Sequence, residues 1–168
     1  MLNYHPSNDL YHSIYRIFLL TDSLKIEAVE WERLRLMDFY FLFPHLLRDL
    51  KMPREYLPYK KIFKLIREPY EEMGSPKRVF YQLGTLQENA IRSLIAKGYF
   101  HRDSFTLDAR IKIKGPPPAE IIKLIKEEPK VSSDWFAPFV EVFNALSLTG
   151  TNGLKDRSEM LEHRYDPH

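Results

Sequence analysis

Histidine is the residue type in this chain that first suggests chemistry, because imidazole binds metal ions and transfers protons near neutral pH. The sequence has six histidines and no cysteine, so thiolate metal sites and cysteine nucleophiles are excluded. The histidines are His5, His12, His45, His101, His163 and His168. None of them forms the two-histidine helical spacing of zinc proteases, and His5 with His12 would lack a third ligand. We therefore predict no metal ion and no cofactor.

Carboxylate pairs and phosphate-binding loops give no stronger indication of catalysis. Glu71-Glu72 and Glu127-Glu128 are typical of ordinary helix surfaces, and the six glycines form no glycine-rich phosphate loop. No nucleophile stands in a recognisable pattern with a base. The sequence thus predicts a binding protein rather than an enzyme, one that hydrolyses neither nucleotides nor nucleic acid.

The middle of the chain carries an excess of positive charge. Residues 75–115 hold eight basic and three acidic side chains, whereas residues 116–168 hold six basic and nine acidic ones. Such asymmetry is typical of anion binding, although a solvated surface without a ligand is an equal alternative. The predicted DNA-binding residues are Arg92, Lys97, Arg102, Arg110, Lys112 and Lys114.

The elements that would position these basic residues have the order of a helix-turn-helix with a wing. Ser75-Pro76 begins a first helix and Gly84 breaks it, after which Thr85-Leu86-Gln87-Glu88 matches a capping box. Gly98 fits the end of this second helix, and alternating apolar residues over 105–113 predict a strand paired with Tyr99-Phe100. We therefore predict a winged-helix-like unit with a β-hairpin wing over residues 75–115.

The second helix of that unit would be the recognition helix. Its exposed side is predicted to carry Gln87, Glu88, Asn89, Arg92, Ser93 and Lys97. Glutamine, asparagine and arginine can read base edges, while arginine and lysine can pair with phosphates.

The flanking regions read as helices, so the predicted fold is a mainly α single domain over residues 1–168. N-terminal helices are expected within residues 1–52 and C-terminal helices within residues 116–149. The first two helices are predicted at 7–20 and 27–43, and residues 150–168 as a polar tail or a short helix around Leu154 to Leu161.

Aromatic residues make up 14% of the chain, which is rich for a protein of 168 residues and suggests apolar surface left for a partner. The predicted partner interface consists of Tyr11, Tyr15, Trp135, Phe136 and Phe139, with burial in the core as the alternative.

The start of the chain lacks the pattern of a signal peptide, and no apolar run is long enough to span a bilayer. We expect a soluble cytoplasmic protein with no membrane partner.

Three groups of residues resemble the small middle component of bacterial ABC-three-component systems. The first is Tyr4-His5-Pro6 with Asp9, Tyr11-His12 and Tyr15-Arg16. The second is Arg33-Leu34-Arg35-Leu36-Met37-Asp38-Phe39-Tyr40 with Leu42-Phe43-Pro44, and the third is Gly153-Leu154-Lys155 with Arg164-Tyr165-Asp166.

The resemblance implies a non-catalytic cytoplasmic subunit of a Lamassu-type anti-phage complex. Its implied partners are an SMC-like ATPase subunit and an effector subunit that is often a nuclease, with double-stranded DNA engaged by the complex. The competing interpretation is a free-standing winged-helix DNA-binding transcription regulator. Such a regulator would need a self-complementary dimer surface, which the aromatic helix from Trp135 to Phe143 could supply.

Overall fold

The computed structural model describes residues 9–161, and most of them are helical. The α-helices are α1 Leu10–Leu24, α2 Trp31–Leu42, α3 Leu57–Lys64, α4 Pro76–Ala96, α5 Arg102–Asp108, α6 Ala119–Glu127, α7 Phe136–Ala145 and α8 Leu154–Ser158. Short 3-10 helices lie at Pro44–Asp49, Arg54–Tyr56 and Pro129–Ser132, and the strands are β1 Ala28–Glu30 and β2 Arg110–Lys112. The mainly helical fold class is confirmed.

The chain divides into two compact units. The first unit contains the described residues up to Asp38 together with Tyr81–Glu128. The second unit contains Phe39–Phe80 and the described residues from Pro129 onwards. The single domain over residues 1–168 stays a prediction.

Helix α1 of the first unit begins at a side-chain cap. The Asp9 carboxylate accepts hydrogen bonds from the backbone N–H of Tyr11 at 2.7 Å and of His12 at 3.3 Å, which satisfies donors that an α-helix leaves open. The helix ends at Lys25, whose backbone is left-handed with φ 52°. Ser7 and Asn8, where the first helix is predicted to begin, lie outside the described residues.

Three short segments of the first unit lie side by side. Strands β1 and β2 pair antiparallel, with Val29 opposite Ile111. On the other side of β2, Phe100 forms an antiparallel bridge with Ile113, and the backbone N–H of His101 donates to the carbonyl of Lys112 at 2.9 Å. Val29, Ile111 and Phe100 are buried, so one face of these segments belongs to the core. Strand β1 differs from the prediction from sequence, which gives a helix over the whole of residues 27–43.

The predicted helix-turn-helix is wrong, because α4 runs without a break from Pro76 to Ala96. Gly84 lies inside this helix and does not have a positive φ. A Cβ atom at Gly84 would lie 3.0 Å from the Nη2 atom of Arg35, so the glycine leaves room for a side chain rather than making a turn. Gly98, with φ 85°, does follow the helix end as predicted.

The predicted β-hairpin wing is also wrong, because residues 102–108 form helix α5, which takes up the predicted turn and the first four residues of the predicted strand over 105–113. The Phe105 ring packs against Trp31 with ring centroids 5.8 Å apart, and this tertiary contact suits a helical backbone. Helix α5 ends at Ala109, whose φ is 50° and whose N–H donates to the Phe105 carbonyl. Only β2 and the Phe100–Ile113 bridge remain of the hairpin.

Aromatic side chains fill the core of the second unit. The rings of Phe139 and Phe143 lie 4.9 Å apart, and Tyr40 lies 5.4 Å from Phe143. The rings of Phe39 and Phe80 meet edge to face at 5.6 Å. Such pairs stabilise a core beyond the apolar area that they bury.

In the region predicted as a polar tail or a short helix, the structure has the short helix α8, which packs into the second unit. Leu154 and Lys155 of α8 are buried, and the backbone N–H of Leu154 donates to the Ser147 carbonyl at 2.8 Å. A Cβ atom at Gly153 would collide with the carbonyl oxygen of Thr149, so only glycine fits this approach. Arg157 donates to the Lys51 carbonyl at 2.9 Å and fixes the segment further.

Candidate functional site

The structure brings most of the predicted DNA-binding residues onto adjacent segments of the first unit. The backbone N–H of Lys114 donates to the Tyr99 carbonyl at 2.9 Å, so residues 99–101 run beside β2 and its extension, with Lys97 and Arg102 close to either end of this segment in sequence. Arg110 and Lys112 flank the core residue Ile111 in β2 and therefore lie on the face of the strand that points away from the core, and the exposed Lys114 follows two residues after the strand. We call Lys97, Arg102, Arg110, Lys112 and Lys114 the basic surface.

The charges of the basic surface are only partly neutralised. The Lys112 ammonium lies 3.2 Å from the Glu27 carboxylate, and Arg110 donates to the Ala28 carbonyl at 3.4 Å. Within residues 9–161, Lys97, Arg102 and Lys114 form no ion pair. Three exposed cations are thus available to an anion at the edge of this small sheet.

Glu30 is the acidic residue opposite Arg110 in the β1–β2 register. Partial burial acts to raise the pKa of its carboxyl, but the hydrogen bond from Arg33 and the charges of Arg33 and Arg110 lower that pKa overall. The Arg33 Nε donates to Glu30 at 2.8 Å. Because Glu30 has this strong partner, its negative charge is largely compensated within the first unit.

Arg92, the sixth predicted DNA-binding residue, is held by its own helix. Its guanidinium donates to the Glu88 carboxylate at 2.8 Å and lies over the Phe105 ring at 5.4 Å from the centroid. These contacts are ordinary for an exposed helix surface and anchor α5 against α4.

Gln87 is not part of an exposed recognition surface, contrary to the prediction. It is only 1% exposed and cannot reach a base edge. Its amide nitrogen donates to the Asp38 carboxylate at 2.8 Å, and its oxygen accepts from the Arg35 Nε at 3.1 Å. Asp38 also accepts from the Arg16 Nε at 2.5 Å, so a buried polar network joins α1, α2 and α4. The spacing of these residues in the sequence does not distinguish members of a buried network from residues on an exposed helix surface.

The predicted partner interface separates into exposed and buried members. Tyr11 is half-exposed on α1, whereas the Tyr15 hydroxyl donates to the Glu128 carboxylate at 2.7 Å. Partial burial, followed by this hydrogen bond, raises the pKa of Tyr15 well above its usual value. Tyr15 therefore holds the end of α6 against α1, while Tyr11 stays available at the surface.

Trp135, Phe136 and Phe139 lie inside the second unit. All three are buried, and the rings of Trp135 and Phe139 are 5.9 Å apart. These three residues thus fit the alternative prediction of burial in the core, and they offer no docking surface on the folded chain. The dimer surface that a free-standing regulator would take from this helix is consequently buried.

The described histidines stand apart from other ligating groups. Partial burial, together with the charge of Arg48, lowers the pKa of His45 and favours its neutral form. Across residues 9–161, no three His, Asp or Glu side chains come together in a way that could hold a metal ion. His5, His163 and His168 lie outside the described residues.

No helix in the described part of the chain is long and apolar enough to cross a bilayer.

Comparison with known families gives one match over nearly the whole chain. The model of the family described as ABC-three component (ABC-3C) system Middle Component 5 matches residues 2–166. The matched range includes all three residue groups on which the sequence resemblance was based. Comparison with curated proteins and with solved structures finds no match.

Several residues of those three groups have structural roles in the described part of the chain. Asp9 caps α1, Arg16 and Asp38 form the buried ion pair, and Leu154 with Lys155 packs α8 into the second unit. Tyr4, His5, Pro6, Arg164, Tyr165 and Asp166 lie outside the described residues. These described members of the resemblance thus contribute to the fold.

Proposed function

Since the chain belongs to the Middle Component 5 family of ABC-three-component systems, we propose that it is a non-catalytic accessory subunit of a bacterial defence complex. In this proposal the complex is a cytoplasmic anti-phage assembly of Lamassu type. The chain docks on an SMC-like ATPase subunit and on a nuclease-like effector subunit, and it assists the complex in engaging double-stranded DNA.

The observation that supports the DNA part of this proposal is the basic surface. Its residues come from two neighbouring segments of the chain, residues 97–102 and 110–114, whose backbones pair through Phe100 and Ile113. Lysine and arginine side chains on one surface bind phosphates without reading sequence, and they do so through counterion release. Burial of Gln87 removes a predicted base-reading side chain, which favours phosphate contact over sequence recognition.

The alternative of a free-standing winged-helix regulator has less support. The helix break and the hairpin wing on which that alternative rested are absent from residues 75–115. Its predicted dimer surface is buried in the core of the second unit. Family membership also makes this chain one component of a system with several components.

We expect charge reversal in the basic surface to weaken DNA binding while the complex stays assembled. The variant is Arg110→Glu, Lys112→Glu and Lys114→Glu, tested in the copurified complex with a 30-bp duplex at several salt concentrations. Because each phosphate contact contributes about 0.9 to the slope of log affinity against log salt, loss of three contacts should reduce that slope by about 2–3.

The matched control reverses three exposed lysines outside the basic surface, Lys77→Glu, Lys123→Glu and Lys126→Glu. It changes the net charge equally and should keep the wild-type slope. Because Lys112 also pairs with Glu27, the same positions changed to Gln should reproduce the reduced slope without adding negative charge. Equal loss of affinity in the variant and the control would show that net charge, and not this surface, governs DNA binding.

A further inference from the structure

Helix α3 of the second unit presents an outward stripe of mixed apolar and basic side chains. Leu57, Lys61 and Lys64 follow one another at intervals of four and three, which places them on one face of α3, and Leu65 follows directly after the helix ends. Leu57 is 50% exposed, Leu65 is 86% exposed, and both lysines are exposed. We call these four residues the α3 stripe.

The opposite face of α3 is fixed within the second unit. Phe63 is fully buried, and the Tyr59 hydroxyl donates to the Glu141 carboxylate at 2.5 Å. The Lys60 ammonium donates to the Leu50 carbonyl at 3.0 Å. The helix is therefore held by contacts that do not involve the stripe, and its outward leucines contribute little to the core.

Positive charge concentrates around the α3 stripe. Residues 48–67 contain seven basic and two acidic side chains. Arg48 and Lys51 are neutralised by Glu68 at 2.6 Å and Glu159 at 2.5 Å. In contrast, Arg54, Lys61 and Lys64 form no ion pair within residues 9–161. This local excess of positive charge is not apparent from the sequence, because acidic and basic residues balance over residues 1–74 as a whole.

We propose that the α3 stripe binds an acidic amphipathic segment of another component of the same complex. This inference rests on the proposed function. Carboxylates of such a segment would pair with Lys61 and Lys64, and its apolar side chains would cover Leu57 and Leu65. A nucleic-acid backbone could satisfy the lysines, but it would leave two exposed leucines in water. The combination of charge and apolar surface therefore favours a protein partner of acidic amphipathic character.

The test uses the full chain, tagged and coexpressed with the other two components of its system. Lys61→Glu with Lys64→Glu should reduce recovery of one component by at least about tenfold, because like charges would then face each other across the interface. Leu57→Ser with Leu65→Ser removes the apolar side chains of the stripe and keeps both lysines. It should also reduce recovery, because the partner would lose its apolar contacts. The matched control, Lys123→Glu with Lys126→Glu on α6, should leave recovery unchanged, and thermal unfolding should confirm that all variants fold.

Zero-length carbodiimide cross-linking with mass spectrometry identifies the partner directly. We expect Lys61 or Lys64 to be joined to an Asp or Glu of one of the other two components. Wild-type recovery of both components by α3 variants would overturn this inference alone, whereas failure of the wild-type chain to recover either component would overturn the proposed function as well. Cross-links to a second copy of the chain, or loss of 30-bp duplex binding with components retained, would also contradict the protein partner proposed here.

Discussion

Replacement of Asp38 by alanine will lower the free energy of unfolding by about 3–5 kcal/mol, because it removes one side of a buried ion pair. The Arg16 side chain is only 3% exposed and would lose the carboxylate that its Nε contacts at 2.5 Å. Gln87 would lose the same acceptor at 2.8 Å. A loss of this size is a large part of the stability of an ordinary domain. Urea unfolding followed by circular dichroism measures it.

Two variants separate the ion pair from a general effect of losing a carboxylate. Asp108→Ala removes an exposed carboxylate of the same unit and should change the stability by less than about 0.5 kcal/mol. Arg16→Met combined with Asp38→Leu should be less destabilised than Asp38→Ala, since no buried charge would remain from the pair. Wild-type stability of Asp38→Ala would show that the network does not stabilise the fold.

Truncation of Phe139 to alanine will destabilise the chain by about 3–5 kcal/mol, the usual range for a buried phenylalanine. Phe139 is 0% exposed and its ring contacts Trp135, Phe136 and Phe143. The truncation would leave a cavity, and it would remove the buried apolar surface of the ring and its contacts with neighbouring rings. Loss of assembly after changes at Trp135 or Phe139 would therefore reflect unfolding rather than a lost interface.

Tyr70→Ala is the matched control, because Tyr70 is 94% exposed in the same unit. It should leave the free energy of unfolding within about 0.5 kcal/mol of the wild-type value. If Phe139→Ala unfolded at the wild-type midpoint, the helix from Phe136 to Ala145 would have to lie on a surface, and the interface interpretation would return.

Local sequence signals predicted the helices well where neighbouring residues determine them. C-terminal helices are predicted within residues 116–149, where α6 lies at Ala119–Glu127, and Gly98 is correctly predicted to follow a helix end. The Gly84 break failed because the need for glycine there arises from Arg35, which is distant in sequence. Similarly, the capping-box pattern before Glu88 lies inside α4, where Gln87 serves the buried network instead.

Pairing between distant segments explains the remaining errors. Strand β1 exists because β2 lies beside it, and no local pattern marks three residues next to a helix as a strand. Aromatic content likewise indicated apolar side chains without showing whether a partner or the core would cover them. The basic surface was predictable because charge excess in residues 75–115 is a property of the sequence itself. The charge of the α3 stripe is not apparent from the sequence, because acidic residues elsewhere in residues 1–74 offset it.

Native mass spectrometry of the tagged chain, purified after coexpression with the other two components of its system, tests the central claim most directly. Membership of the Middle Component 5 family and the proposed accessory role predict one assembly whose mass includes this chain and both other components. Purification of the chain by itself, as a monomer or as a homodimer that binds duplex DNA without the other components, would contradict that role.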